Sequence, residues 1–327
     1  MTLVTRLTER LKLTQPIVSA PMAFAGGGKL AAAVTNAGGL GLIGGGYGGE
    51  AWLETQFAAA GNTSVGCGFI TWSLARKPQL LDRVLERKPR AVFLSFGDPA
   101  PFAAKIKAAG ALLMCQCQTR SDAEIAVGLG ADVVVAQGAE AGGHGGKRAT
   151  MTLVPELADL LAARAPQSLL LAAGGIADGR GLAAALMLGA DGVLVGSRLW
   201  ASQEALVHPN LHKAALAATG DDTIRTSVTD IARQYEWPER FNIRVVKNAF
   251  VDEWHGREAQ LRAVNDAQAA RYSLAVAEGD AGTAASIAGE AVGLIHSIEP
   301  AATIIERMAG QAEVLLGRGA QLVRQER

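Results

Sequence analysis

The sequence predicts an α/β fold, a TIM (β/α)8 barrel with a smaller helical appendage domain, from three observations. Eight short β-branched runs recur over the first 200 residues, most are followed by an alanine-rich stretch of helix length, and past Trp200 charged, helix-favouring segments take over. Runs that are apolar at successive positions suit strands covered on both faces, as in a parallel sheet. Eight βα units in about 200 residues match a barrel whose sites lie where strands end and βα loops begin. A doubly wound open sheet is the second reading.

In chain order the expected strands are Pro16 to Met22, Leu40 to Gly46, Ser64 to Ile70, Ala91 to Gly97, Ala111 to Cys117, Asp132 to Gly138, Ser168 to Gly174 and Gly192 to Arg198. Most end at small residues. After Trp200 strand-like runs disappear; Arg257 to Glu278 reads as helix, the Gly/Ala/Ser stretch Gly279 to Gly289 interrupts, and Ala301 to Arg324 reads as a final helix. The expected division is a barrel over residues 1–210, a helical appendage on the substrate side over 211–299, and a C-terminal helix, 300–327, returning to the barrel wall.

Bulk properties narrow the class of partner. The 327 residues carry 31 Lys plus Arg and 31 Asp plus Glu, so there is no basic footprint for nucleic acid and no acidic tail. Small molecules are the expected partners, for a monomer or homodimer. Cys67, Cys115 and Cys117 are odd in number and sit in apolar runs, which suits reduced, buried thiols in a cytoplasmic protein. The N-terminal residues alternate charge with apolar side chains, unlike a secretory signal, and no run of about 18 apolar residues suggests a membrane span.

The most telling stretch is QGAEAGGHGG, Gln137 to Gly146, a half-glycine loop directly after an apolar run. Bare backbone there can approach a flat or anionic ligand, and His144 is the one titratable ring over it; its neighbours have almost no side chains to pack against, which favours a functional role. Glu140 reads as a loop-orienting or helix-capping residue. Gln116 and Gln137 end the fifth and sixth strands, where an uncharged amide can donate to and accept from a heterocycle or tie down a loop. Glycines after the seventh and eighth strands, Gly174, Gly175 and Gly196, with Ser197, are phosphate candidates, because free N–H groups at that end of a barrel point outward.

Other motifs fail on inspection. Gly44, Gly46 and Gly49 match the dinucleotide spacing, yet no acidic residue occurs between Thr55 and Leu81 to hold a ribose, so a βα turn is expected. At Gly146-Lys147-Arg148 an arginine stands where a P-loop needs Ser or Thr. Leu199 occupies the second glycine position of a nucleophile elbow at Ser197. His208 and His212 have metal-pair spacing, but Pro209 lies between them and no carboxylate or cysteine cluster is near, so no metal is expected. Trp72, Trp200, Tyr235 and Trp237 read as pocket walls or ordinary core, with core favoured.

Taken together, QGAEAGGHGG, PMAFAGGGKLAAAVTNAGGLGLIGGG and AAGGIADGRGLAAALMLGADGVLVGSR resemble the nitronate monooxygenases, formerly called 2-nitropropane dioxygenases, and the resemblance extends to WPERFNIRVVKNAFVDEWHGRE and AGEAVGLI. It implies an FMN-dependent TIM-barrel oxidoreductase that converts alkyl nitronates, or nitroalkanes, with O2 to carbonyl compounds and nitrite. It also implies that Ala20, Pro21 and Met22 line the flavin ring, that Gln137, Gly138, Gly142 and Gly143 hold the ring and ribityl chain, and that Ala173, Gly174, Gly175, Gly196 and Ser197 take the phosphate. His144 matches the catalytic histidine. Gly68 stands where many relatives carry Asn and Gln116 where some carry Lys, so their side-chain contacts to flavin are the departures. Flavin-dependent enoyl-acyl-carrier-protein reductases and NADH:quinone reductases share several of these motifs, which leaves an NADH-dependent flavin reductase as the alternative.

Overall fold

The computed structural model describes residues 3–319. Eleven strands run in chain order as β1 (Ile17–Ser19), β2 (Leu42–Gly46), β3 (Gly66–Ile70), β4 (Ala91–Ser95), β5 (Leu112–Cys117), β6 (Val133–Gln137), β7 (Gly143–Gly145), β8 (Leu169–Ala173), β9 (Gly192–Val195), β10 (Thr223–Thr226) and β11 (Asn242–Val246). All but β7, β10 and β11 form one parallel sheet in the order β1-β9-β8-β6-β5-β4-β3-β2. A parallel bridge between Val18 and Leu40 returns β1 to the chain entering β2, so the sheet is a barrel and the open-sheet alternative falls. Each of the eight expected strands is present, one to four residues shorter than its apolar run at one end or both.

Two-sided burial explains those runs. Along β6, Val133 and Val135 point into the barrel beside Phe93, Met114, Leu171 and Leu194, whereas Val134 and Ala136 pack outward under the helices. The helix Arg6–Leu11, capped by Thr5, closes the far end by adding Leu7 and Leu11 to the interior cluster. Burying one such leucine contributes about 1.5–3 kcal/mol. The three cysteines are free and buried, and burial pushes the Cys67 and Cys115 thiols up to about 12, as small core residues require.

The segment 211–299 departs from expectation. Besides its helices, among them Val228–Ala232, Ala249–Trp254 and Asn265–Glu278, it contributes β10 and β11, and β11 pairs antiparallel with both β10 and β7. These strands escaped the sequence because TIRT and NIRVV are short and half-polar and Gly-His-Gly has no strand preference; long-range pairing makes them strands. The helix Ala301–Gly319 lies along Gly179–Met187, where Gln311 accepts from the Gly179 N–H at 3.1 Å. The rest of the expected helix, to Arg324, falls outside the described residues. Among those described, no helix is long and apolar enough to cross a membrane.

Candidate active site

At the C-terminal ends of the barrel strands lies a cavity with about 890 Å³ free of protein atoms, part of it open to solvent. Ten of the site residues expected from the sequence line it: Ala20, Pro21, Met22, Gln116, Gln137, Gly142, Gly143, His144, Gly196 and Ser197. Residues of the 211–299 segment form the facing wall, notably Arg233, Trp237, Ile243 and Ile287.

His144 is held from four directions. Its backbone is the centre of β7, opposite Ile243 of β11. The Trp237 indole stacks on the imidazole with centroids 3.3 Å apart and planes 7° from parallel, and Phe96 meets it edge-on at 6.1 Å. Nε2 lies 2.8 Å from Asp230 Oδ2. Asp230 in turn accepts from the Arg233 guanidinium at 2.8 Å, and both acid and imidazole are buried. An ionised Asp230 makes Nε2 the donor of the neutral ring, so Nδ1, which has no partner among the described residues, carries the lone pair. Burial lowers the His144 pKa below the ordinary imidazole value; the hydrogen bond and charge of Asp230 oppose that, while Arg233 and Arg225 reinforce it. The imidazole is therefore a neutral base at neutral pH.

The amide pair divides its work. Gln137 accepts at Oε1 from the Nε2 groups of Gln116 and Gln118, at 3.0 and 2.8 Å, and donates its own Nε2 to the His144 carbonyl at 3.1 Å. Its side chain is thus spent on tying down the histidine loop, whereas the Gln116 carbonyl remains for the cavity. Gly68 does not line the cavity: a Cβ there would lie 2.3 Å from the Pro21 ring, which fills the room a larger residue on β3 would need.

Gly138, Ala173, Gly174 and Gly175 also stand back from the cavity wall. Gly138 and Gly174 pack backbone to backbone around Thr150 Oγ1, and Gly174 and Gly175 adopt φ of +101° and +74°, values that favour glycine. The N–H groups of Gly174, Gly175, Gly196 and Ser197 nevertheless have no acceptor among the described residues. Ser197 Oγ accepts from the Gly289 N–H at 2.9 Å, which leaves its hydroxyl proton to donate. Glu140 caps the helix Thr150–Arg164, accepting from the Thr150 N–H and hydroxyl, as the capping expectation held. Arg225 and Arg244 both donate to the Ala139 carbonyl and pin the same loop.

The remaining motifs find structural roles. Gly44 packs where a Cβ would lie 2.2 Å from the Met22 carbonyl, which accounts for the glycine without a nucleotide. His208 caps the helix Pro209–Leu216 by accepting from the Asn210 N–H, and His212 Nε2 lies 2.9 Å from the Trp200 carbonyl.

Sequence reasoning missed Asp230 and Arg233, and it favoured core over pocket wall for Trp237, whereas Trp237 is a cavity wall stacked on the histidine. Trp200 is both core and wall. Tyr47, unremarked in the sequence, accepts from Trp237 Nε1 at 3.1 Å and stacks on Tyr235 at 3.9 Å; burial raises its phenol to about 12. The one available signal was density: Arg233, Tyr235, Trp237 and Phe241 crowd into nine positions of an aromatic-poor chain.

Comparison with known proteins follows this geometry. Residues 73–310 match the family model described as nitronate monooxygenase. A nitronate monooxygenase of Neurospora crassa is 32% identical over 91% of this chain and 89% of its own length. Nitronate monooxygenase npaC of Metarhizium robertsii is 33% identical over 92% and 91%. Among solved structures, FabK from Thermotoga maritima superposes with a TM-score of 0.82 at 30% identity, covering 98% of this chain and all of that one. A nitroalkane oxidase from Streptomyces ansochromogenes superposes at 0.79 with 25% identity, covering 94% and 98%.

Proposed function

The chain belongs to the nitronate monooxygenase family, and we propose that this oxidoreductase uses FMN and O2 to convert alkyl nitronates, or the nitroalkanes that precede them, to carbonyl compounds and nitrite. The observation that carries the reading is His144 on the cavity wall, its Nε2 held by the buried Asp230 and its Nδ1 unpartnered among the described residues. A base in that state suits abstraction of a proton from carbon next to a nitro group.

The residues present fit a flavin mononucleotide. Unpartnered N–H groups at the ends of β8 and β9, with the Ser197 hydroxyl, suit a terminal phosphate, and Ala20, Pro21 and Met22 offer an apolar floor for a planar ring. Gly142, Gly143 and the Gln116 amide lie on the same wall. When bound, the flavin supplies the redox chemistry, taking electrons from the nitronate and delivering them to oxygen.

The chain's own part is proton transfer and positioning. Nδ1 of neutral His144 takes the α-proton of a nitroalkane, and the electron pair of the broken C–H bond moves onto the nitro group. The imidazolium so formed stays bonded to Asp230 and faces the new anion, which it holds electrostatically. Arg233 restrains Asp230, so the histidine keeps one tautomer throughout. A nitronate that arrives as an anion bypasses the abstraction and needs no proton transfer to His144. The even charge balance and buried thiols support a cytoplasmic enzyme with small-molecule substrates.

The motifs shared with flavin-dependent enoyl-acyl-carrier-protein reductases and NADH:quinone reductases support the alternative, an NADH-dependent flavin reductase. One anaerobic experiment separates them: the flavin-loaded protein is mixed with a small nitronate and, separately, with NADH. Rapid bleaching by the nitronate and none by NADH is the expected result; the reverse pattern overturns the proposal.

A further inference from the structure

A second chamber opens beside the reaction cavity, with about 1310 Å³ free of protein atoms, part of it open to solvent. The two share walls: Ala23, Ala25, Trp200, Arg233 and Ile287 line both. Beyond those, its surface is largely aliphatic and aromatic, with Phe24, Leu206, Leu211 and Val276 prominent. Phe24, Leu206 and Val276 are 52%, 48% and 47% exposed, large apolar side chains left open to solvent at one place. Phe24 holds its position with φ of +61°, a left-handed conformation that costs a non-glycine residue energy and that clusters at functional sites.

Most of the polar groups on this wall are already engaged, the hydroxyls of Ser273 and Tyr235 being the exceptions. His208 accepts from the Asn210 N–H, Gln234 donates to Asp266 at 3.3 Å, and Tyr272 accepts from the Ala285 N–H at 3.2 Å. Arg233 donates to the Thr229 carbonyl and to Asp230. What remains for an occupant is chiefly apolar contact, and continuity with the cavity at His144 says which part of which molecule arrives there.

From the shared walls and the apolar lining we infer that this chamber receives the aliphatic tail of the substrate whose nitro-bearing carbon lies at His144, so that the favoured nitronates carry a long unbranched alkyl chain. The inference rests on the proposed function and names its substrate class. Each methylene buried contributes about 0.8 kcal/mol, close to fourfold in kcat/KM.

The test compares the anions of nitroethane and 1-nitrooctane on the flavin-loaded protein. Preference for the octyl compound by about a hundredfold is expected, the effect of burying three to four of its six additional methylenes. Ala269→Phe, which fills the chamber from the helix Asn265–Glu278, removes that preference while ethyl nitronate turnover stays within about twofold; Val276→Trp at the rim does the same from a second side. Equal kcat/KM for the two anions, or equal loss of both in both variants, overturns the inference. A readout independent of turnover is Tm: 1-octanol raises it for the wild-type protein but not for Ala269→Phe, and ethanol raises neither. Octanol binding without nitronate oxidation would remove the proposed reaction and keep the chamber; oxidation without octanol binding would do the opposite.

Discussion

β6 and β7 are separated only by residues 138–142, yet opposite physics makes each a strand. Every residue of β6 is buried between barrel interior and helices, and its Val-Val-Val-Ala run announces this locally. β7 is Gly-His-Gly, and it is a strand only because β11, about a hundred residues later, pairs with it at His144↔Ile243. The barrel is thus specified by patterns within a few residues, whereas the geometry of the histidine is specified by contacts across the chain. Rigid scaffold and adjustable site are separated in the way a chemically versatile barrel requires.

Replacing the histidine should have the largest consequence. His144→Asn removes the base but keeps a side chain able to hydrogen-bond Asp230, so nitroalkane turnover should fall by about 10³-fold, while visible absorbance shows flavin still bound. Loss of flavin together with activity would instead mark His144 as a scaffold residue.

Asp230→Asn tests the remote half of the comparison. The introduced amide can donate to Nε2 and so favours the tautomer with the proton on Nδ1, where the base must be. A loss on the order of 10²-fold for nitroalkanes is expected, with a smaller loss for preformed nitronates. The pH profile gives a second readout. In the wild-type protein kcat/KM for a nitroalkane falls on the acid side as His144 protonates, at a pH below the usual imidazole value of about 6.5. Asp230 raises that pKa by hydrogen bond and charge, so its removal should move the acid limb to lower pH. The same depressed pKa makes the folded state refuse a proton that the unfolded chain accepts. Its stability contribution is present above about pH 6.5 and is lost as the pH falls through the folded value, which thermal melts against pH would register as a lower Tm.

What could be read from the sequence follows the same division. All eight barrel strands and His144 were legible because continuous apolar runs and a side-chain-poor loop are local signals. Asp230, Arg233 and Trp237 were not, because nothing near Asp230 in the chain says that it meets a residue 86 positions earlier. Gln137 shows the intermediate case: its place at the end of the sixth strand marked it as a ligand contact or a loop tie, but only the structure reveals that both ends of the amide are taken by Gln116, Gln118 and the His144 carbonyl. The helical reading of 211–299 erred where β10 and β11 draw their stability from pairing instead of pattern.

The scaffold side can be broken without touching the histidine. Gly68→Asn would drive a Cβ into the Pro21 ring, where contacts of 2.3 and 2.4 Å leave no room. A loss of about 1–3 kcal/mol in stability is expected from such overpacking, read by denaturant unfolding, with no gain in flavin affinity. Unchanged stability would mean that the β1 end yields freely.

The smallest effect is expected at the junction of the two regions. Glu140 sits in the histidine loop but spends its carboxylate on the first turn of the helix Thr150–Arg164, where two oxygens accept from one N–H and one hydroxyl. Glu140→Gln keeps one acceptor and removes the negative charge from a helix N-terminus, a change worth about 0.5–1 kcal/mol. Its Tm should drop slightly while the acid limb of the nitroalkane pH profile stays in place, since proton transfer belongs to His144, held by Asp230. A displaced limb would show that Glu140 exchanges protons with the site, and the line between cap and catalyst would have to be redrawn through residue 140.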